Sequence, residues 1–335
     1  MLFAQHLLRI FVFLALPFSL EAAKFEKPPI ETYYNAHNTI ALLKAEKKLA
    51  NDSISFKTME TVLGEDTDSI VLTTSSKSYK SIEIGKAFLI VYTKYQKNPL
   101  IRKVTELIPS GPKILSTNFV GDALFQPTKN LMTIMKSPQL DDKNDKRLKQ
   151  DELIDLLLQE SQQINSANRN FAILQLSRQK GLLAALSHGQ GLQLFKQLKK
   201  EGWPDKHLSL LVEAGAREGS VLDLSLKQLC SKTITGFPQR FDLTSMQPHL
   251  ALSCTSLFRR IGQVEDLKVL SSLLTRNNPG VAKAAFKTMS AIDREASLSQ
   301  AQALLQTQGT FSPKLLPEVD RFLQRQLKLK RAAVR

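Results

Sequence analysis

The feature that most constrains this chain is a pattern that occurs twice, a short apolar stripe, an Asn-Pro break, then a second stripe. In the first instance Ile84, Ala87, Phe88, Val91, Tyr92 and Tyr95 fall at i, i+3, i+4, i+7, i+8 and i+11, one face of an α-helix. Asn98-Pro99 interrupts, and Leu100, Ile101, Val104, Leu107 and Ile108 continue. In the second, Val264, Leu267, Leu270 and Leu274 precede Asn278-Pro279, and Val281, Ala284, Ala285, Met289 and Ile292 follow. In both, Asn is placed to cap the following helix while Pro takes the first helical position, where a missing N–H costs nothing. Helices this short are marginal alone and must bury their stripes against neighbours. The expectation is an all-α chain of stacked antiparallel helix pairs.

The residues around the breaks carry a family resemblance. Asn98-Pro99-Leu100-Ile101-Arg102 and Asn278-Pro279-Gly280-Val281, the latter followed by Ala285 and Met289, resemble the second helix of a HEAT repeat, which shows Asp-Pro-x-Val-Arg and then spaced Ala and Leu. Asn stands here for the Asp, and Ala282 for the second unit's Arg. The resemblance, over about residues 80–109 and 263–292, implies an irregular α-solenoid with a scaffold or binding role.

Elsewhere Thr32–Leu49 reads as a helix on its Ala, Leu, Lys and Glu content. Residues 51–79 are polar and ambiguous, with Ser69–Thr74 a candidate strand on β-branched content. Leu153, Leu156, Leu157 and Ile164 share a helical face, as do Leu194, Phe195 and Leu198, then Leu208, Leu211 and Val212; Thr233–Met246 reads as a loop. The expected division is a leader at 1–22, a mainly helical region at 23–135, a charged linker at 136–150, a helical-repeat region at 151–328 and a basic tail at 329–335.

Ile10–Leu20 is an apolar block behind Arg9, followed by Glu21-Ala22-Ala23. It has the size of a signal-peptide core, about half of the ~20 apolar residues that span a bilayer. Cleavage after Ala22 or Ala23 would send the chain to an extracytoplasmic space. A bacterial periplasm is the preferred compartment, with an extracellular destination or an uncleaved anchor as alternatives.

The chain carries a formal charge of +15, spread along its length. The one concentrated excess is Arg321–Arg335, where Arg321, Arg325, Lys328, Lys330, Arg331 and Arg335 are accompanied by no acid. One reading is attraction to an anionic polymer or membrane surface. The plainer one is a last helix with cations at its C-terminal end. Nucleic acid is disfavoured as a partner, because aromatics are not interleaved with the cations.

Cys230 and Cys254 are the only cysteines. They lie on the apolar faces of two helices expected to run antiparallel across an intervening loop, so a disulfide and a pair of buried thiols are both open. In an oxidising compartment the bridge would stabilise the fold by about 3–4 kcal/mol. His37, His188, His207 and His249 are isolated, with no pairing that puts two ligands on one helix face, so neither a metal nor a cofactor is expected. Ser187-His188-Gly189-Gln190-Gly191 reads as a turn between helices with glycines at the C-cap rather than as a catalytic pair. Asp141-Asp142 and Asp151-Glu152 lie in charged, solvated stretches, and Glu265-Asp266 open a helix.

No catalytic residue is assigned. The expected function is that of an exported, non-catalytic helical scaffold binding another envelope or secreted protein. The alternatives are a binder of anionic polymer or membrane and, behind it, a wall-directed hydrolase with a site dispersed in sequence.

Overall fold

The structure is a computed structural model that describes residues 28–97, 107–117, 120–137, 148–163, 166–198, 205–238, 240–242 and 244–306. The chain divides into two compact units, Met1–Leu182 and Leu183–Arg335. The leader, Asn98-Pro99, most of the second stripe behind it, most of the 136–150 linker and the basic tail lie outside the described residues.

The first unit is built on a β-barrel, which overturns the all-α expectation. Strands β1 (Asn38–Lys48), β2 (Ser53–Leu63), β3 (Ser69–Thr73), β4 (Ala87–Lys97) and β5 (Leu107–Ile114) are ordered β1-β2-β3-β5-β4, and β4 pairs back onto β1 to close the ring. All ladders are antiparallel except β3–β5. A short helix, α2 (Ser76–Ser81), lies between β3 and β4. The result is a closed five-stranded barrel of mixed strand direction. Closed barrels host unrelated functions, so the architecture carries none by itself.

Alternation along the strands fills the interior. Ala41, Leu43 and Ala45 of β1, Ile54 and Phe56 of β2, Leu72 of β3, Ile90 and Tyr92 of β4 and Ile114 of β5 form one buried cluster, plugged by Ile82 just after α2. Irregular registers at Ile40/Ala41, Leu42/Leu43 and Ala45/Lys47 coil β1 enough to pair on both edges. Asn51 and Asp52, with φ 57° and 51°, turn the chain between β1 and β2 in the primed geometry a hairpin twist favours.

Two expected helices are therefore strands. The stripe at 84–95 is β4, because Leu89, Ile90, Val91 and Tyr92 are buried in succession, on both faces. A strand covered on both sides reads as a continuous apolar run, from which helical spacing can be picked by coincidence. Thr32–Leu49 divides into α1 (Pro29–Tyr33) and β1, where pairing with two neighbours overrides helix propensity. Ser69–Thr73 is a strand, as its composition suggests.

Helices cover one outer flank of the barrel. α1 packs on β1 and on α5 (Ser166–Arg178); α3 (Lys129–Lys136) packs on α4 (Gln150–Glu160), and α4 on α5. Three buried rings mark the seam, with Tyr33, Phe125 and Phe171 at centroid separations of 6.0, 6.1 and 5.7 Å. Short strands β6 (Ser116–Thr117) and β7 (Gly121–Asp122) form a hairpin, and β8 (Leu124–Phe125) joins the outer edge of β4.

The second unit is helical but is not a HEAT-like solenoid. It contains α6 (His188–Leu198), α7 (Asp205–Glu218), α8 (Asp223–Gly236), α9 (Gln247–Ile261), a 3-10 turn at Val264–Asp266, α10 (Leu267–Ser271), α11 (Pro279–Ile292) and α12 (Arg294–Gln306). α9 packs against α7, α8 and α11 and is buried nearly all round, through Leu250, Ala251, Ser253, Cys254, Thr255, Leu257 and Phe258. That is the core helix of a bundle rather than half of a stacked pair. The Asn-Pro signal itself holds at α11, since Asn278 Oδ1 accepts from the N–H groups of Gly280 (3.0 Å) and Val281 (3.1 Å). A capped helix start is local, and it does not specify a repeat.

Candidate binding basin

An open basin of about 840 Å³ lies within the first unit, bounded by α2, the loop from α2 into β4, the β6–β7 hairpin and the first residues of α5. Its architecture starts at the end of β3. Ser75 caps α2 by accepting from the Ser78 N–H at 3.3 Å. Asp122 of β7 then anchors that cap. Its Oδ2 accepts from the Ser75 hydroxyl (2.6 Å), the Ser75 N–H (3.1 Å) and the Thr74 hydroxyl (2.9 Å). Partial burial pushes the Asp122 carboxyl up, but the Ser75 and Ser78 hydroxyls, the Ser75 N–H and the Thr74 hydroxyl outweigh it and hold the group below its ordinary range. Asp122 is thus a fixed anion, suited to accepting a hydrogen bond and unsuited to donating a proton as a general acid.

A second network fixes the opposite wall. The fully buried Glu160 at the end of α4 accepts from the Thr128 hydroxyl and from Asn168 Nδ2 at 2.9 Å. Asn168 also accepts from the Gln126 N–H and donates to the Gln126 carbonyl, both at 3.0 Å. The Gln126 backbone is clamped to α5, while its side chain faces the basin with no hydrogen-bond partner among the described residues.

Gln126 is one of several exposed polar side chains on this surface. Lys77 Nζ and the hydroxyls of Ser116 and Ser166 likewise line the basin without a partner among the described residues. Glu83 and Lys86 pair with each other at 2.7 Å, with side chains 66% and 63% exposed, an arrangement worth little to stability. The lining's two lysines and two carboxylates cancel in charge. Phe88, Val120, Leu124 and Pro127 supply an apolar wall. The basin therefore offers donors and acceptors together, beside carbon, with no net field.

None of these residues stands out in the sequence. The signal was the run of hydroxyls at Thr73–Ser76 following a β-branched strand, the composition of a capped turn. Asp122, supplied from far along the chain, has no sequence signal. Of the predicted site residues, Cys230 and Cys254 are brought together. They are disulfide-bonded with Cα atoms 5.5 Å apart, joining α8 to α9. Arg321, Arg325, Lys328, Lys330, Arg331 and Arg335 lie outside the described residues.

The other candidates resolve as structural. Ser187-His188 opens α6 rather than ending a helix. Ser187 Oγ accepts from the Gln190 N–H (3.3 Å) and the Gln190 side chain accepts from the Ser187 N–H (2.8 Å), a capping box. Gly191 is required there for space, since a Cβ would sit 2.6 Å from Val221. Asp151 and Glu152 lie exposed in the first turn of α4, and Asp266 pairs with Lys227 at 2.7 Å. Among the described residues no group of three His, Cys, Asp or Glu side chains is arranged to hold a metal ion, and no helix is long and apolar enough to cross a membrane.

No protein-family model matches the chain, and neither a curated protein nor a solved structure matches it.

Proposed function

We propose that this is an exported, non-catalytic binding protein whose barrel unit takes a neutral stretch of a polyhydroxylated ligand, an oligosaccharide, in the basin. The observation that carries the reading is the convergence of four polar side chains left unengaged by the described residues, Lys77, Ser116, Gln126 and Ser166, with the fixed Asp122 carboxylate, an apolar wall and cancelling charge. Sugar rings present hydroxyls that both donate and accept, alternating with C–H faces, so they answer a lining of this kind. The basin's size falls within the range of small-molecule sites. Asp122 and Gln126 supply orientation because their own positions are fixed by hydrogen bonds that a ligand does not have to arrange.

The test is isothermal titration of the full chain with neutral cello-, malto- and chito-tetraose. Binding of at least one is expected, weakened about fivefold to tenfold by Gln126→Ala or Ser166→Ala, the loss of one hydrogen bond of about 1 kcal/mol. Absence of binding to all three, or binding indifferent to both substitutions, defeats the proposal.

A second reading, capture of a protein partner, draws on the helical unit. There Leu192, Val221 and Leu224 are 48%, 51% and 72% exposed, and Val221 abuts the start of α6 at Gly191. Exposed apolar groups gathered in this way mark interaction surfaces. Leu224→Glu should abolish co-purification of any such partner while leaving oligosaccharide binding intact; unchanged co-purification removes the surface from consideration.

A further inference from the structure

The outer face of the barrel beside the basin carries a pair of cations that the described residues leave without a counter-charge. Leu43 and Ala45 of β1 and Phe56 of β2 point into the barrel, so Lys44 and Lys57, which alternate with them, point out, and both are exposed. The register sets these two cations directly opposite one another across β1–β2. Side chains so placed have Cβ atoms about 4.5–5.5 Å apart, and like charges there are unfavourable. Neither lysine makes a salt bridge or a hydrogen bond among the described residues. Of the nearby carboxylates, Glu60, opposite Leu42, is taken by Lys136 at 2.6 Å. Glu46, also exposed, lies two residues further along β1.

The other neighbour of Lys44 gives this pair a direction. Across β1–β4 Lys44 is opposite Ala87, and Ala87 lines the basin. A row at right angles to the strands therefore leads from Lys57 through Lys44 to the basin, each step one strand spacing of about 4.8 Å. The basin's own charges cancel, and this row adds two cations beside it.

We propose that Lys44 and Lys57 form a subsite for an anionic substituent of the same oligosaccharide, so that the ligand's neutral rings occupy the basin and a carboxylate or phosphate group lies between the two ammonium groups. The proposal rests on the basin reading and names the class of glycan it takes. An anion held there relieves the repulsion between the lysines, an interaction that neutral chains cannot make. Two exposed ion pairs contribute about 1–2 kcal/mol together, a preference of roughly fivefold to thirtyfold.

The experiment is a titration of the full chain at low ionic strength, where surface charges are least screened. The ligands are maltotetraose and cellotetraose, each also as its C6-carboxylate and its 6-phosphate. The proteins are the native chain, Lys44→Gln/Lys57→Gln and Lys44→Arg/Lys57→Arg. The anionic forms should bind the native chain and the Arg variant roughly fivefold to thirtyfold more tightly than the neutral forms. The Gln variant should lose that advantage while binding neutral tetrasaccharides as before. The substituent that gains more, carboxylate or phosphate, identifies the source of the charge. Equal binding of neutral and anionic forms, or an advantage that survives in the Gln variant, overturns the subsite. Failure of the neutral forms with lysine-dependent binding of the anionic ones overturns the basin reading alone, and failure of every form overturns both.

Discussion

The two units hold themselves together by different means. In the barrel unit the backbone is satisfied by closure of the sheet, and the flank is fastened by neutral side-chain donors around the buried Glu160 and by three mutually packed aromatic rings. In the helical unit the described helices reach at most 15 residues, and the fastenings among the described residues are a covalent bridge between α8 and α9 and ion pairs joining Lys227 to Asp266 and Arg260 to Asp223. Short helices gain little stability from their own hydrogen bonds and depend on what ties them to neighbours. A closed barrel has few unpaired edges and needs no cross-link. Redox conditions should therefore act on the helical unit, and loss of ring packing on the barrel unit.

Native-state hydrogen exchange, read peptide by peptide, separates these effects. The largest is expected from Phe171→Ala, which removes a fully buried ring from the Tyr33–Phe125–Phe171 cluster and should cost about 3–5 kcal/mol in the barrel unit while leaving α7–α11 unchanged. Equal loss in both units would show that they do not unfold separately. Next, Cys230→Ala/Cys254→Ala opens a loop of 24 residues and should cost about 3–4 kcal/mol confined to the helical unit. Loss of protection in β1–β4 would break the contrast.

Smaller effects sharpen it. Asp122 is held below the ordinary carboxylate range, so it adds stability that is fully present above about pH 4, the unfolded value, and is lost as pH falls through the folded one. Asp122→Asn should cost about 1–2 kcal/mol at neutral pH and flatten the acid limb of the barrel unit's stability, with no change in the helical unit. An unaltered acid limb would show that other carboxylates set it. Smallest, Asn278→Ala should cost about 1 kcal/mol, seen first at the start of α11.

What could be read from the sequence follows the range of the interactions involved. Asn278-Pro279 and the Cys230–Cys254 pairing are legible because a cap is a matter of three residues and a bridge needs only two facing helices. β4 is not, because Leu89–Tyr92 are apolar for two different cores, one inside the barrel and one under the helices, and periodicity cannot distinguish that from a helix face. β1 is misleading in a different way, since its Ala, Leu, Lys and Glu favour a helix and are overruled by β2 and β4. The Asn51-Asp52 turn was the available correction, two residues that tolerate positive φ between strand-length runs. The basin is illegible for a further reason. Ser75 meets Asp122, 47 positions away, and Gln126 meets Asn168, 42 positions away, so the site exists only once the barrel has closed.

That the barrel unit carries the ligand in a basin against α2 and the β6–β7 hairpin is tested most directly by locating where a bound oligosaccharide is felt. Backbone amide shifts of the isotope-labelled full chain, followed through titration with the tightest-binding tetrasaccharide, should move at Ser75–Ser81, Ser116–Thr117, Gly121–Gln126 and Ser166–Ala167. Those of α7, α8 and α9 should stay in place. Movement confined to the helical unit, or none at saturating ligand, would contradict the account.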